Sequence, residues 1–226
     1  MQYEAKWVGG VASSTPDGNP KVSISQLDSI TACTAAGGHL ITNNEWMTIA
    51  RNAEQVASNW SGGSVGSGTM ATGWVNTSNT AVAPTTDASC LYNTGANTCD
   101  SAGTVLQRRT LTLSNGMTLW DISGNVWEWT NDTCTQTNWN YYAASWYEWT
   151  NISNPDLSDY EKPNGGPLGA YTSTNGVGRY YGCSVNGNAF IRGGTWGNGT
   201  LAGAFTLSLD DAPGASGTVI GFRCVR

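Results

Sequence analysis

The stretch WDISGNVWEWT, residues 120–130, decides the reading of this chain. From Gly124 onward it alternates, with Val126 and Glu128 on one side and Trp127 and Trp129 on the other, the period of a strand packed on one face. A carboxylate between two large indoles must be hydrogen-bonded, exposed or driven neutral by desolvation. Glu128 therefore needs a partner, and an arginine fork has the matching geometry. Asp121 and Asn125 bracket the Ser123-Gly124 turn before this strand. Residues of these two types make side-chain turns, and they also offer the hard oxygens that a calcium ion takes.

Outward on the C-terminal side, AFIRGGTW (189–196) and VIGFRCVR (219–226) read as strands. They place Arg192 and Arg223 on otherwise apolar elements, suited to buried pairing with Glu128 or Asp121. Between them lies GNGTLAGAFTLSLDDAPGASGTV, residues 197–219. Phe205, Leu207 and Leu209 alternate there with Thr206, Ser208 and Asp210, so one face looks inward and the other is free. A loop of small residues follows. This is the pattern of a surface hairpin, and also of a binding face held up by rigid strands.

On the N-terminal side, RRTLTL (108–113), a Ser-Asn-Gly turn and MTLWDI (117–122) read as a hairpin. Two helices precede it. The first runs from Ser25 to Ala36, capped by Ser25, with Leu27, Ile30 and Cys33 at helical spacing and Gly37-Gly38 as the stop. The second opens on a capping box of Thr42 and Glu45, and Trp46, Ile49, Ala50 and Ala53 follow at the helical period. Two helices followed by many short strands indicate an α+β fold. Residues 59–103 turn to Gly, Ser, Thr and Asn and read as a long irregular insertion in a single domain spanning 1–226. Tyr141, Tyr142, Trp146, Tyr147 and Trp149, followed by NPDLSDYEKPNGG, read as a surface loop with a small core of its own.

Sixteen acidic residues against 10 Lys and Arg leave a formal charge of −6. No basic stripe is available to release counterions from phosphates, which argues against nucleic acid as a partner and disfavours anionic membrane surfaces. No stretch approaches the roughly 20 apolar residues of a membrane span. QYEAKW after Met1 lacks the basic start and apolar run of a signal peptide. The chain is thus expected not to be membrane-embedded. His39 is the one histidine. It sits in an ordinary connector and leaves no mechanism that needs two imidazoles.

The six cysteines form an even set without a CxxC pair, which favours disulfides in an oxidising compartment over zinc or thioredoxin chemistry. Cys90 and Cys99 flank the turn-rich LYNTGANT and form the first expected bridge. Cys33, Cys134, Cys183 and Cys224 allow three pairings.

These strings together, QYEAKW, GGHLITNNEWMTIARNA, WDISGNVWEWT and RGGTW followed by GFRCVR, resemble the C-type-lectin-like fold in its formylglycine-generating-enzyme subgroup. The resemblance implies two helices on a twisted antiparallel sheet with long loops, and it covers nearly the whole chain. It also implies a bridge from the first helix to the last strand, matching Cys33 and Cys224 and leaving Cys134 with Cys183. Sulfatase-activating members carry a copper-binding cysteine pair after RGG, where this chain has Asn198 and Gly203. Ergothioneine-synthesising relatives use several histidines, against His39 alone here. EKPN at 161–164 is similar to the calcium-lectin triplet, but Lys162 breaks the spacing.

The remaining branch comprises the variable proteins of diversity-generating retroelements, which the 197–219 segment and the following IGFRC resemble. Mutagenesis of Asn codons cannot produce Lys, Glu, Gln, Trp or Met, and none of these occurs from 197 to 219. The resemblance thus implies a non-enzymatic display protein on a cell or virion surface, binding a protein or glycan. No cofactor is expected beyond a possible structural calcium. The candidate contacts are Trp196 as aromatic anchor, Asn198, Leu201, Ser208, Asp210, Asp211 and the loop Gly214, Ala215, Ser216, Gly217, Thr218 and Val219. The alternatives are an enzyme of the same fold with a metal or thiol centre, and a calcium-dependent lectin.

Overall fold

The computed structural model describes residues 1–75, 108–136, 145–151 and 166–226. Cys90, Cys99, Tyr141, Tyr142 and the EKPN string lie outside the described residues.

Helix α1 (Gln26–Ala35) begins where Ser25 Oγ accepts from the Asp28 N–H at 3.1 Å. The inward face differs from the expected one. Gln26, Ser29, Ala32 and Cys33 are buried, while Leu27 is 57% exposed. Polar contacts fix this rotation: Gln26 Nε2 donates to Thr130 O at 2.6 Å and to Asp132 O at 3.0 Å. Helix α2 (Asn43–Glu54) opens on the expected capping box. Thr42 Oγ1 accepts from the Glu45 N–H, and the Glu45 carboxylate accepts from the Thr42 N–H. Trp46, Ala50 and Ala53 are buried as the periodicity requires, and Met47 joins them.

Strands β1 (Lys6–Val8) and β2 (Val11–Ser13) form an N-terminal hairpin. β3 (His39–Leu40) pairs with β12 (Cys224–Val225), while β4 (Thr110–Thr112) and β5 (Thr118–Trp120) form the hairpin expected around residues 114–116. The central sheet is built from β6 (Trp127–Thr133), β7 (Trp146–Tyr147), β8 (Tyr180–Tyr181), β9 (Ala189–Arg192), β10 (Leu207–Asp211) and β11 (Ile220–Phe222). Its order is β11-β6-β9-β10-β8-β7. The α+β class is as expected, but the sheet is mixed. β11 with β6 and β10 with β8 run parallel, because neither pair is joined by a tight turn that would force antiparallel pairing.

The registers place Phe222, Trp129, Ile191, Ser208, Tyr181 and Trp146 in one row across the sheet. Gly221, Glu128, Arg192, Leu207, Tyr180 and Tyr147 form the next row, on the opposite face. Ala32 and Cys33 of α1 pack with Trp127, Trp129 and Phe222. Trp46, Met47 and Ala50 of α2 pack with Leu207 and Tyr180. β6 is therefore covered on both faces, and Val126 through Thr130 are all buried, where the alternation suggested one packed face. The insertion also departs from expectation in its described part. Residues 59–75 are irregular, yet Trp60, Met70, Ala71 and Trp74 are buried, and Asn59 Nδ2 ties the segment to Ala53 O and Thr112 O. Trp146, Tyr147 and Trp149 do not form a separate small core, because the first two build an edge strand of the main sheet and Trp149 is buried in the main core.

Buried charges bind the layers together. Glu128 and Arg223 meet in a two-pronged pair at 2.7 and 3.0 Å. Asp121 pairs in the same way with Arg109, at 2.7 and 2.8 Å. Arg192 was expected to share those carboxylates, but it donates instead to Asn43 Oδ1 and to Phe205 O. Burial pushes its guanidinium down to about 9, against the opposing pull of Asp132. Cys33–Cys224 and Cys134–Cys183 are bridged with Cα separations of 5.3 and 6.2 Å, as the resemblance implied.

Candidate binding site

The site is assembled around the junction of the two motifs that dominate the sequence. Gly193 and Gly194 sit at φ +86° and +84°, where a Cβ on Gly194 would meet Ala202 Cβ at 2.7 Å. The RGG string is thus a geometric requirement of the turn leaving β9. The chain then docks on the GNVWEW turn, where Thr195 Oγ1 and the Trp196 N–H both donate to Asn125 O at 3.0 Å. Asn125, itself at φ +61°, donates through Nδ2 to Glu4 Oε2 at 2.6 Å. Asn198 Oδ1 accepts from the Thr195 N–H at 2.7 Å and closes the turn.

β10 carries the alternation expected of it, with Leu207 and Leu209 fully buried. Its other face is less free than the pattern implied. Thr206 is fully buried, its hydroxyl donating to Leu201 O at 2.6 Å, and Ser208 is only 6% exposed. Between Ser208 and Asp211 the ladder to β9 gains one residue, pairing Ser208 with Ile191 but Asp211 with Ala189. Such a bulge re-aims side chains. Consecutive carboxylates, Asp210 and Asp211, consequently line the same concavity.

That concavity has a volume of about 240 Å³. Asn198, Ser208, Asp210 and Asp211 line it from the 197–219 segment, and Trp127, Trp146, Tyr181 and Ile191 line it from β6, β7, β8 and β9. The Trp127 and Trp146 rings stack with centroids 6.3 Å apart, and Tyr181 meets Trp146 edge-on at 5.1 Å. Ser184 Oγ donates to Asp210 Oδ1 at 2.8 Å. Burial and then the neighbouring Asp210 raise the Asp211 carboxyl above its ordinary value of 3.8. The same two causes raise the Tyr181 phenol. Among the described residues, no basic residue lines the cavity.

The other candidates fall elsewhere. Trp196 is half-buried beside the Asn125 turn, and Leu201 ends a short 3₁₀ turn, Gly199–Leu201. Gly214, Ser216 and Thr218 are exposed, whereas Ala215 and Val219 pack on the α1-side core. The loop hangs on the start of α1, with Ser23 N–H donating to Gly217 O and Gln26 N–H to Pro213 O. Val219 O accepts from Trp127 N–H, which links the loop to the pocket wall. Sequence reasoning missed Trp127, Tyr181 and Ile191 as wall residues and took Trp146 for part of a loop. Only the strand order, above all the parallel neighbour β8, brings them together.

Metal and redox chemistry find little to work with among the described residues. The Asp121 carboxylate accepts from Arg109, and the Asn125 side chain donates to Glu4 while its backbone carbonyl accepts from Thr195. The copper pair of the sulfatase-activating members does not fit either. A Cβ on Gly203 would lie 2.2 Å from the Val177 carbonyl carbon, and Asn198 is used in the turn. His39 Nε2 meets the exposed Glu45 carboxylate at 2.8 Å, on the α2 capping box and away from the pocket.

The profile of the sulfatase-modifying factor enzyme 1-like domain matches residues 4–226. The chain belongs to the sulfatase-modifying factor enzyme 1-like family. Solved structures similar to this family member include the Major Tropism Determinant I1 variant, at 15% identity and a TM-score of 0.39 over 91% of this chain and 42% of that one. The P3c variant gives 16% identity and a TM-score of 0.39 over 92% and 42%. PvdO from Pseudomonas aeruginosa gives 16% and 0.41 over 91% and 61%. The chain therefore spans less than two thirds of the length of each. No curated protein sequence matches it. No helix among the described residues is long and apolar enough to cross a membrane.

Proposed function

We propose that this family member is a ligand-binding display domain, a variable protein of a diversity-generating retroelement that recognises a protein or glycan through its 197–219 face. It works on a cell or virion surface, by non-covalent contact, without catalysis and without a cofactor. The observation that carries this reading is the convergence of Asn198, Ser208, Asp210 and Asp211 on one aromatic-walled cavity, while Leu207 and Leu209, between them in sequence, are wholly buried. That division lets the identities of cavity residues change over a fixed scaffold. The two disulfides among the described residues suit an oxidising exterior. The one histidine lies on the α2 capping box and not on the cavity, which supports recognition there over histidine acid–base chemistry.

Sequencing the gene across its source population, together with the DNA downstream, tests the proposal. Substitutions concentrated at codons 198, 208, 210, 211 and 214–219, with an invariant template copy nearby, are expected. Invariance across 197–219, or changes falling equally on Phe205, Leu207 and Leu209, would overturn it.

A further inference from the structure

We propose that the cavity takes the cationic head of a lysine or arginine side chain carried by a protein ligand. The inference rests on the binding reading above and names what that site recognises.

The walls supply both halves of a cation receptor. Trp127, Trp146 and Tyr181 line the cavity in one stacked and edge-on aromatic cluster, and aromatic rings attract a positive charge placed over them. Asp210 and Asp211 line it as consecutive carboxylates, and among the described residues no lysine, arginine or histidine lines the cavity. Asp211 is half-buried, and its carboxylate has no hydrogen-bond partner among the described residues. A partly desolvated negative charge beside a like charge is unfavourable until a cation arrives.

Ser208 provides an independent sign. It is only 6% exposed, lines the cavity, and its hydroxyl makes no hydrogen bond among the described residues. The residue is buried but its oxygen is not among the sealed, unpartnered polar atoms, so it reaches the cavity surface and is open to accept from a donor that enters. Both cations are pure donors, matching a cavity that holds the Ser208 hydroxyl and two carboxylates as acceptors. The concavity, of about 240 Å³, is large enough to take the end of one side chain.

The test uses the whole chain and four probes: Nα-acetylarginine amide, Nα-acetyllysine amide, the uncharged isostere Nα-acetylcitrulline amide, and neutral methyl glycosides. Each is titrated while the tryptophan indole N–H signals are followed by NMR, with the Trp127 and Trp146 signals assigned by Trp→Phe variants. Both cationic amides should move those two signals saturably, with citrulline about tenfold weaker. The D210N/D211N variant should weaken the cations about tenfold without weakening citrulline, with Trp129 as an internal check that the core is intact. Equal responses to arginine and citrulline would overturn the inference without needing any variant. So would no response to the cations at about 50 mM, a range that reaches millimolar affinities. If only the glycosides move the signals, the cavity is a recognition site and the cationic assignment alone fails. If nothing moves them, the cationic assignment fails, and the population sequencing decides the wider reading.

Discussion

Replacing Glu128 by Gln removes one charge from a pair with no access to water. Glu128 is 0% exposed and Arg223 1%, and the carboxylate accepts from Nε at 3.0 Å and Nη2 at 2.7 Å. Arg223 also donates to Trp120 O, so it cannot swing out to solvent without abandoning that carbonyl. Breaking such a pair from one side leaves a guanidinium buried without its counter-charge, at a cost of about 3–5 kcal/mol. For a chain of this length, each kcal/mol lowers Tm by about 2–4 °C, so E128Q should melt about 6–20 °C lower. R223M should cost a similar amount. The E128Q/R223M double variant should cost less than the two singles combined, with a coupling of about 2–3 kcal/mol, because no orphaned charge remains. Urea unfolding at pH 7, followed by tryptophan fluorescence on the four corners of the cycle, reads this directly. An E128Q penalty below about 1 kcal/mol, or strict additivity, would refute the view that GNVWEW is held by a charge-paired carboxylate.

Two further perturbations probe the scaffold. Burial raises the Glu148 carboxyl, but the Ser173 hydroxyl, the Ser173 N–H and Arg179 together outweigh it and hold it below its ordinary 4.5. The stability it contributes is therefore present above that value and lost as pH falls through the depressed one. E148Q should cost about 1 kcal/mol at pH 7, with the gap to the parent closing in acid, as thermal melts across pH will show. Gly203→Ala places a methyl 2.2 Å from the Val177 carbonyl carbon, against backbone that cannot rotate away. A loss of about 3 kcal/mol or more is expected, and a variant that melts like the parent would mean that the 203 turn is looser than described.

What could be read from the sequence was local or covalently constrained. The caps of both helices declare themselves through Ser25, Thr42 and Glu45, because capping is settled within four residues. The Cys33–Cys224 bridge followed from family resemblance, and the pairing of Glu128 with an arginine from the cost of burying a charge. What escaped depends on distant partners. Leu27 points to solvent because Gln26 finds carbonyls on β6, more than a hundred residues away. Arg192 prefers Asn43 to a carboxylate because α2 packs over its strand. The candidate site was half legible. Period-2 alternation singled out Ser208 and Asp210, but the bulge that turns Asp211 to the same side leaves no mark in composition. The aromatic wall needs β8 and β7 beside β10, a non-local order that periodicity does not encode.

The most direct measurement of the recognition claim is to randomise codons 198, 208, 210 and 211 together, retain the variants that melt like the parent, and profile them on arrays of purified surface proteins and glycans. The account predicts that folded variants are recovered, fewest among those that lose the Asn198 turn bond or enlarge the buried Ser208, and that their binding profiles differ from the parent and from one another. Folded variants that all keep the parent's profile, or a parent and variants that bind nothing on either array, would contradict it.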